Sequence, residues 1–191
     1  MSYTLKDVFY LGATHEYEHG TYGSANIEGN IPIDISAYVD PIAKGRTRGQ
    51  GLAVYRVHCQ LSGSASGTPQ LPSDLGAAAF GLTVKPYTTS GDNSGALETG
   101  DLTVDSDLAI WLGNYTAFGS CPSTVLGTVN EVLAPSDEVP YVCVRDTIFQ
   151  IFQTGIGMSS ADSMFISYRM ECAMITLDTS TLNQLLRTQT A

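Results

Sequence analysis

Apolar and polar side chains alternate with a period of two along most of this chain. The clearest run is Met164 to Leu177, MFISYRMECAMITL. Met164, Ile166, Tyr168, Met170, Cys172 and Met174 share one side of an extended backbone, and Arg169 and Glu171 share the other, because successive strand side chains point to opposite faces. Helical spacing would scatter Arg169 among the apolar residues. At about 3.3 Å per residue the segment is roughly 45 Å long, which calls for a large partner sheet. It is predicted to be a central or near-central antiparallel strand whose apolar face lines the core of a β-sandwich.

Other segments repeat the pattern. Ile31, Ile33 and Ile35 alternate with Pro32, Asp34 and Ser36, and Pro32, which has no N–H to donate, places this strand at an edge or marks its first residue. Leu52 to Leu61 is predicted as a second strand, with Ala53, Tyr55, Val57, Cys59 and Leu61 on one face and Arg56, His58 and Gln60 on the other. Phe80 to Tyr87 is a third. Leu108 to Tyr115, LAIWLGNY, is nearly all apolar and holds the only Trp, which predicts a place within the core of a sheet. Val125 to Leu133 reads as a strand or a short helix. Tyr141 to Thr154 is partly apolar on both sides, as expected of a strand buried on two faces. Thr179 to Arg187 has an N-cap candidate at Ser180 or Thr181 and leucines at 182, 185 and 186, and is predicted as a short C-terminal helix.

Between these runs lie long connections rich in Gly, Ser, Thr and Pro, such as residues 62 to 76 and 88 to 95. The polar stretch GATHEYEHGTYGSANIEGN reads as a surface loop or an arm. The expected division is therefore an N-terminal arm or loop segment over residues 1–30, a sandwich over 31–178, and a C-terminal helix and tail over 179–191. Seven or eight strands joined by long loops point to an all-β antiparallel β-sandwich with Greek-key or jelly-roll connections.

Composition agrees with this reading. A chain of 191 residues suits one domain with a two-layer core. Charged residues make up only 15%, against roughly 25% on average, which disfavours helices with Glu- and Lys-rich outer faces. Nine basic and nineteen acidic residues give a formal net charge of −10, so the protein as a whole repels nucleic acid and anionic lipid, and contact with either must be local. The first residues, MSYTLKDVFYLG, lack a charged leader and an apolar run, which predicts a product made and kept in a cytosol. Cys59, Cys121, Cys143 and Cys172 stand far apart with no CxxC pairing and are expected to be free thiols.

Candidate chemistry is sparse. His15-Glu16-Tyr17-Glu18-His19 satisfies H-E-x-x-H, which in a zinc protease requires two histidines one helical turn apart with the glutamate activating a water. Here glycines flank it, no apolar helical face accompanies it and no third histidine follows at the right distance, so it is read as a polar loop and no metal or other cofactor is assigned. Asp101, Asp105 and Asp107 alternate without an EF-hand pattern and are read as a solvated acidic loop. No nucleophile motif is present, and the chain is read as a non-enzyme with no small-molecule substrate. Lys44, Arg46 and Arg48 form the only basic cluster. Such a loop in an acidic protein fits carboxylates of a neighbouring subunit, with a phosphate backbone or a polar lipid head as the alternative. Tyr17 and Tyr22 are candidate interface aromatics.

The whole-chain pattern of long alternating strands such as GLAVYRVHCQL and MFISYRMECAMITL, long Ser, Gly and Thr loops and no catalytic set resembles the single jelly-roll major capsid (coat) proteins of icosahedral viruses. The resemblance implies a structural subunit that joins copies of itself into an icosahedral shell, resident in the virion after assembly in the host cytoplasm. A second coat protein, and weak genome or lipid contact through residues 44–48, are further partners it leaves open. The chain departs from many such coats in lacking a basic N-terminal arm, since Lys6 is the only basic Lys or Arg among residues 1–30. A second reading is a sandwich module that binds carbohydrate or another ligand, with Trp111, Tyr115 or exposed tyrosines stacking on sugar rings.

Overall fold

The computed structural model describes residues 8–17, 28–40, 48–63, 76–86, 104–121, 124–156 and 164–190. Nine strands and one helix occur among them: β1 (Phe9–Tyr17), β2 (Glu28–Asp34), β3 (Arg48–Gly63), β4 (Gly76–Thr83), β5 (Ala109–Cys121), β6 (Thr124–Leu133), β7 (Tyr141–Cys143), β8 (Thr147–Ile156), β9 (Met164–Asp178) and α1 (Thr179–Thr190). One sheet has the order β1-β9-β3-β7 and the other β2-β8-β4-β5-β6, and every pairing is antiparallel. The chain passes from sheet to sheet at almost every connection, so β1-β9-β3-β7 faces β2-β8-β4-β5. That order is a single jelly roll, and β6 is an additional strand beyond β5.

The core fills the space between the sheets. Leu52, Val54, Val57 and Leu61 of β3 and Ile166, Tyr168, Met170 and Cys172 of β9 meet Phe80, Leu82, Ile110, Trp111, Tyr115, Ile148 and Phe152 from the opposite sheet. Trp111 is 2% exposed, tilted against Phe80 and edge-on to Tyr168 with both centroids 5.7 Å away. The predicted long strand is β9, an inner strand as expected. Its Arg169 and Glu171 lie on the outer face, while Met174, expected in the apolar row, is exposed.

Several expectations change. Phe9–Tyr17, assigned to an N-terminal arm, is a strand along residues 164–172 of β9, from Phe9 opposite Cys172 to Tyr17 opposite Met164. Its Phe9, Leu11, Ala13 and His15 are half-buried while the residues between them are exposed, so the period of two was present in a stretch whose glycines and charges suggested a loop. The predicted single face of β3 is broken by a bulge between Val54 and Arg56. Ala53 and Tyr55 turn outward into a small cluster with Ala173, whereas Val57, Cys59 and Leu61 face inward; the extra residue resets which side chains point where. Residues 141–154 form two strands, because the chain crosses between sheets at residues 144–146. β8 is buried on both faces as expected, with Ile148 and Phe152 in the main core and Ile151 packed with Leu108 and Phe149 outside it. Residues 125–133 are strand. Pro32 lies on β2, an edge strand.

The helix starts at an unexpected cap. Asp178, not Ser180 or Thr181, accepts the Thr181 backbone N–H at 2.8 Å, and that bond holds its carboxyl below the usual carboxylate range. Leu182, with Leu185 and Leu186 half-buried beside it, covers Val144 and Leu177 at one end of the four-stranded sheet.

Candidate functional site: a polar face on the four-stranded sheet

Three strands build a grid of polar side chains on the outer face of the four-stranded sheet. Strand alternation points Tyr10, Gly12 and Thr14 of β1, Ser167, Arg169 and Glu171 of β9, and Arg56, His58 and Gln60 of β3 outward. Backbone register lines them up as Tyr10-Glu171-Arg56, Gly12-Arg169-His58 and Thr14-Ser167-Gln60. The contacts run along and across these rows. The Arg169 guanidinium lies 3.9 Å from the centroid of the Tyr10 ring, a cation–π distance. The His58 imidazole donates from Nε2 to Glu171 Oε1 at 3.0 Å, and Thr14 donates to Ser167 at 3.0 Å. Arg56 pairs with Asp137, in the segment before β7. The His58 hydrogen bond, with Arg56 and Arg169 nearby, holds the Glu171 carboxyl below the ordinary range.

Two depressions meet at His58. One, of about 490 Å³, lies over Tyr10, Gly12, Thr14, Gln60, Ser167 and Arg169. The other, of about 560 Å³, opens between β3 and the overhanging β6, among Arg56, Glu131, Ser136, Asp137 and Glu138. On that side β7 pairs only with residues 52–54 of β3, and among the described residues no other strand pairs with that side of β3 toward residue 63. Glu131 lines this depression, and its carboxylate accepts the Trp111 Nε1 hydrogen at 2.8 Å. The face offers hydrogen-bond donors and acceptors of both charge signs, which suits binding of a polar surface.

Nucleophilic chemistry has little to work with here. Burial pushes the Cys59 thiol up to about 12 and the Cys172 thiol up to about 12, and raises that of Cys143; the thiolate is the reactive form. All three are free thiols. Among the described residues no group of three or more His, Cys, Asp or Glu side chains is placed to hold a metal ion. His15, Glu16 and Tyr17 are extended in β1, so the H-E-x-x-H spacing does not fall on the helix that zinc proteases require.

Of the residues singled out in the sequence, Arg48 opens β3 and is exposed, and Tyr17 closes β1. Lys44, Arg46 and Tyr22 lie outside the described residues, as does most of the 62–76 loop and the whole of 88–95. Trp111 and Tyr115 are buried in the core, which removes both from any sugar-stacking role. The polar grid itself was half visible: alternation separated Arg56, His58 and Gln60 from the apolar face of β3, and Arg169 and Glu171 from that of β9. Register brought them together.

No protein-family model matches the chain, and no curated protein matches it. Among the solved structures similar to it are two viral proteins. One is human polyomavirus 12 VP1 in complex with 3'-sialyllactosamine, at 8% identity over 91% of this chain and 100% of that one, with a TM-score of 0.40. The other is Merkel cell polyomavirus VP1 in complex with disialyllactose, at 7% identity over 92% and 98% of the two chains, with a TM-score of 0.41. The jelly-roll assignment stands on the strand order of this chain.

Proposed function

We propose that this protein is a structural coat subunit that associates with copies of itself into an icosahedral shell and resides in the virion after assembly in the host cytoplasm. The observation that carries the reading is that four of the seven exposed large apolar side chains among the described residues fall at sheet edges: Tyr10, at 54%, is on β1, with Val8 just before it, and Val129 and Val132, at 39% and 44%, are on β6, while Val104, Val139 and Met174 lie elsewhere. β1 and β6 are outer edges of the two sheets, the places where a sandwich meets a neighbour. The interior, filled by Trp111, Phe80, Tyr115 and Tyr168, supports the same reading, because it assigns function to the surface. Symmetric repetition lets a modest interface per copy add up to a stable shell. In this reading residues 44–48, Tyr17 and Tyr22 serve contacts between subunits, and the chain turns over no substrate.

Electron microscopy and sedimentation of the expressed full chain across salt and pH test the proposal. Closed particles or symmetric oligomers are expected. A protein that stays monomeric at high concentration under every condition overturns it.

A further inference from the structure

We infer that the depression over β1, β9 and β3 binds a carboxylate-bearing sugar, with the Arg169 guanidinium on the carboxylate and the side chains around it on the ring hydroxyls. The inference goes beyond the coat-subunit reading and does not depend on assembly.

Charge points to an anionic group. The chain carries nineteen acidic residues and a net charge of −10, yet no Asp or Glu is among the described residues lining this depression of about 490 Å³, whereas Arg169 and His58 are. The neighbouring carboxylates are already engaged, Glu171 by His58 and Asp137 by Arg56. Arg169 lies 3.9 Å from the Tyr10 ring centroid, and its N–H groups have no acceptor in the protein. The aromatic ring holds the guanidinium in place and leaves its donors, which all lie in the plane of the group, to a ligand. A carboxylate meets two of them with its two oxygens, and its single charge matches the single cation.

The other groups around the depression suit hydroxyls. Thr14 gives its proton to Ser167, so Ser167 keeps its own to donate and Thr14 can still accept. Nε2 of His58 donates to Glu171, which leaves Nδ1 of the neutral imidazole as an acceptor. Gln60 is exposed and offers a donor and an acceptor. Donors and acceptors side by side fit a sugar ring, whose hydroxyls are both. A peptide carboxylate fits less well. From Met164 to Cys172, β9 is paired with β1 on one side and β3 on the other, so its backbone groups are spent and no strand edge is offered to a peptide main chain.

Gly12 provides the room. It stands opposite Arg169 and between Tyr10 and Thr14, and without a side chain it leaves the floor of the depression open. A Cβ there would meet the Tyr168 carbonyl oxygen at 3.4 Å, an ordinary contact, so packing within the chain does not demand glycine at this position.

The test titrates the full chain with methyl β-glucuronide, methyl β-glucoside and acetate, read by saturation-transfer NMR of the ligand, which reports binding whether or not the chain assembles. The glucuronide is expected to bind, and the glucoside and acetate each at least about tenfold more weakly, since each lacks one part of the recognition. Arg169→Gln is expected to bring the glucuronide down to the level of the glucoside, and Gly12→Val to block both sugars, with unchanged circular dichroism in each variant. A glucuronide that binds no better than the glucoside or acetate, or that binds both variants as it binds the parent, overturns the inference. An N-acetylated dipeptide that displaces the glucuronide at equal or lower concentration also overturns it and assigns the depression to peptide carboxylates. Should a variant misfold, Tyr10→Ala decides: it removes an exposed ring and frees the guanidinium, glucuronide binding is expected to weaken, and an unchanged affinity overturns the inference.

Discussion

The Gln189 side chain stands in for a neighbouring strand beside Val144. Its Oε1 accepts the Val144 backbone N–H at 3.1 Å, and its Nε2 donates to the Val142 carbonyl at 2.6 Å. Val144 is fully buried and Gln189 nearly so, so water has no access to replace these bonds. The backbone carbonyl of Gln189 in turn accepts from Arg145 at 3.0 Å, fixing the last turn of α1 against the end of β7.

Gln189→Ala therefore takes the partner from the buried Val144 N–H and from the part-buried Val142 C=O and is expected to cost about 2–4 kcal/mol, as two unsatisfied groups would. Urea unfolding by circular dichroism measures it. Gln189→Glu keeps the acceptor for Val144 and loses the donor to Val142, so it too is expected to destabilise. A Gln189→Ala protein with the parental midpoint would show that the edge needs no closure.

Trp111 is the only tryptophan in the chain, so its emission reports on one position. Replacing the Glu131 acceptor by Leu strands the indole N–H and is expected to cost about 1–2 kcal/mol. Glu131→Gln retains an oxygen at the same reach and is expected to lie close to the parent. Unfolding curves followed by tryptophan fluorescence separate the two; equal losses for Leu and Gln would assign the effect to charge and not to the hydrogen bond.

Gly81 on β4 lies under the backbone of its neighbour. A Cβ there would stand 2.7 Å from the Trp111 carbonyl oxygen and 2.8 Å from Leu112 Cδ2. A strand carbonyl cannot move aside without disturbing the β4–β5 ladder. Gly81→Ala is expected to destabilise by about 1–3 kcal/mol, the cost of overpacking, although alanine is the better strand residue in open surroundings. A lowered thermal midpoint checks this.

Asp178 and Glu171 both have carboxyls held below their ordinary values, Asp178 by the Thr181 N–H and Glu171 by His58. A depressed folded-state value means the ionised form is favoured by folding. The stability these bonds contribute is fully present above the ordinary carboxylate range and is lost as pH falls through the lower folded values. Thermal midpoints measured from pH 7 down to pH 2 are expected to fall at the acid end. Asp178→Asn, which keeps an oxygen acceptor without titrating, is expected to flatten that fall. A parallel decline in the variant would remove Asp178 from the effect.

Much of the architecture was legible because alternation is a local property. Ile166, Tyr168, Met170 and Cys172 announce their shared face within a few residues, Pro32 marks an edge by its missing N–H, and Leu182, Leu185 and Leu186 mark the helix. β1 was hidden because Gly12, His15 and Glu16 suit a loop by composition, while the strand they form is held by β9, some 150 residues later in the chain. The bulge at Tyr55 was hidden for a related reason: one inserted residue leaves the composition of β3 unchanged and reverses the face of what precedes it.

The chain by itself determined that it folds as layered strands with one terminal helix, since side-chain period and turn residues act between near neighbours. Tertiary structure alone decided which strands are neighbours, that Glu171 meets His58 and that Glu131 accepts the Trp111 hydrogen. Those outcomes depend on hydrogen-bond register between distant segments, and register is settled only when two sheets bury their apolar faces against each other.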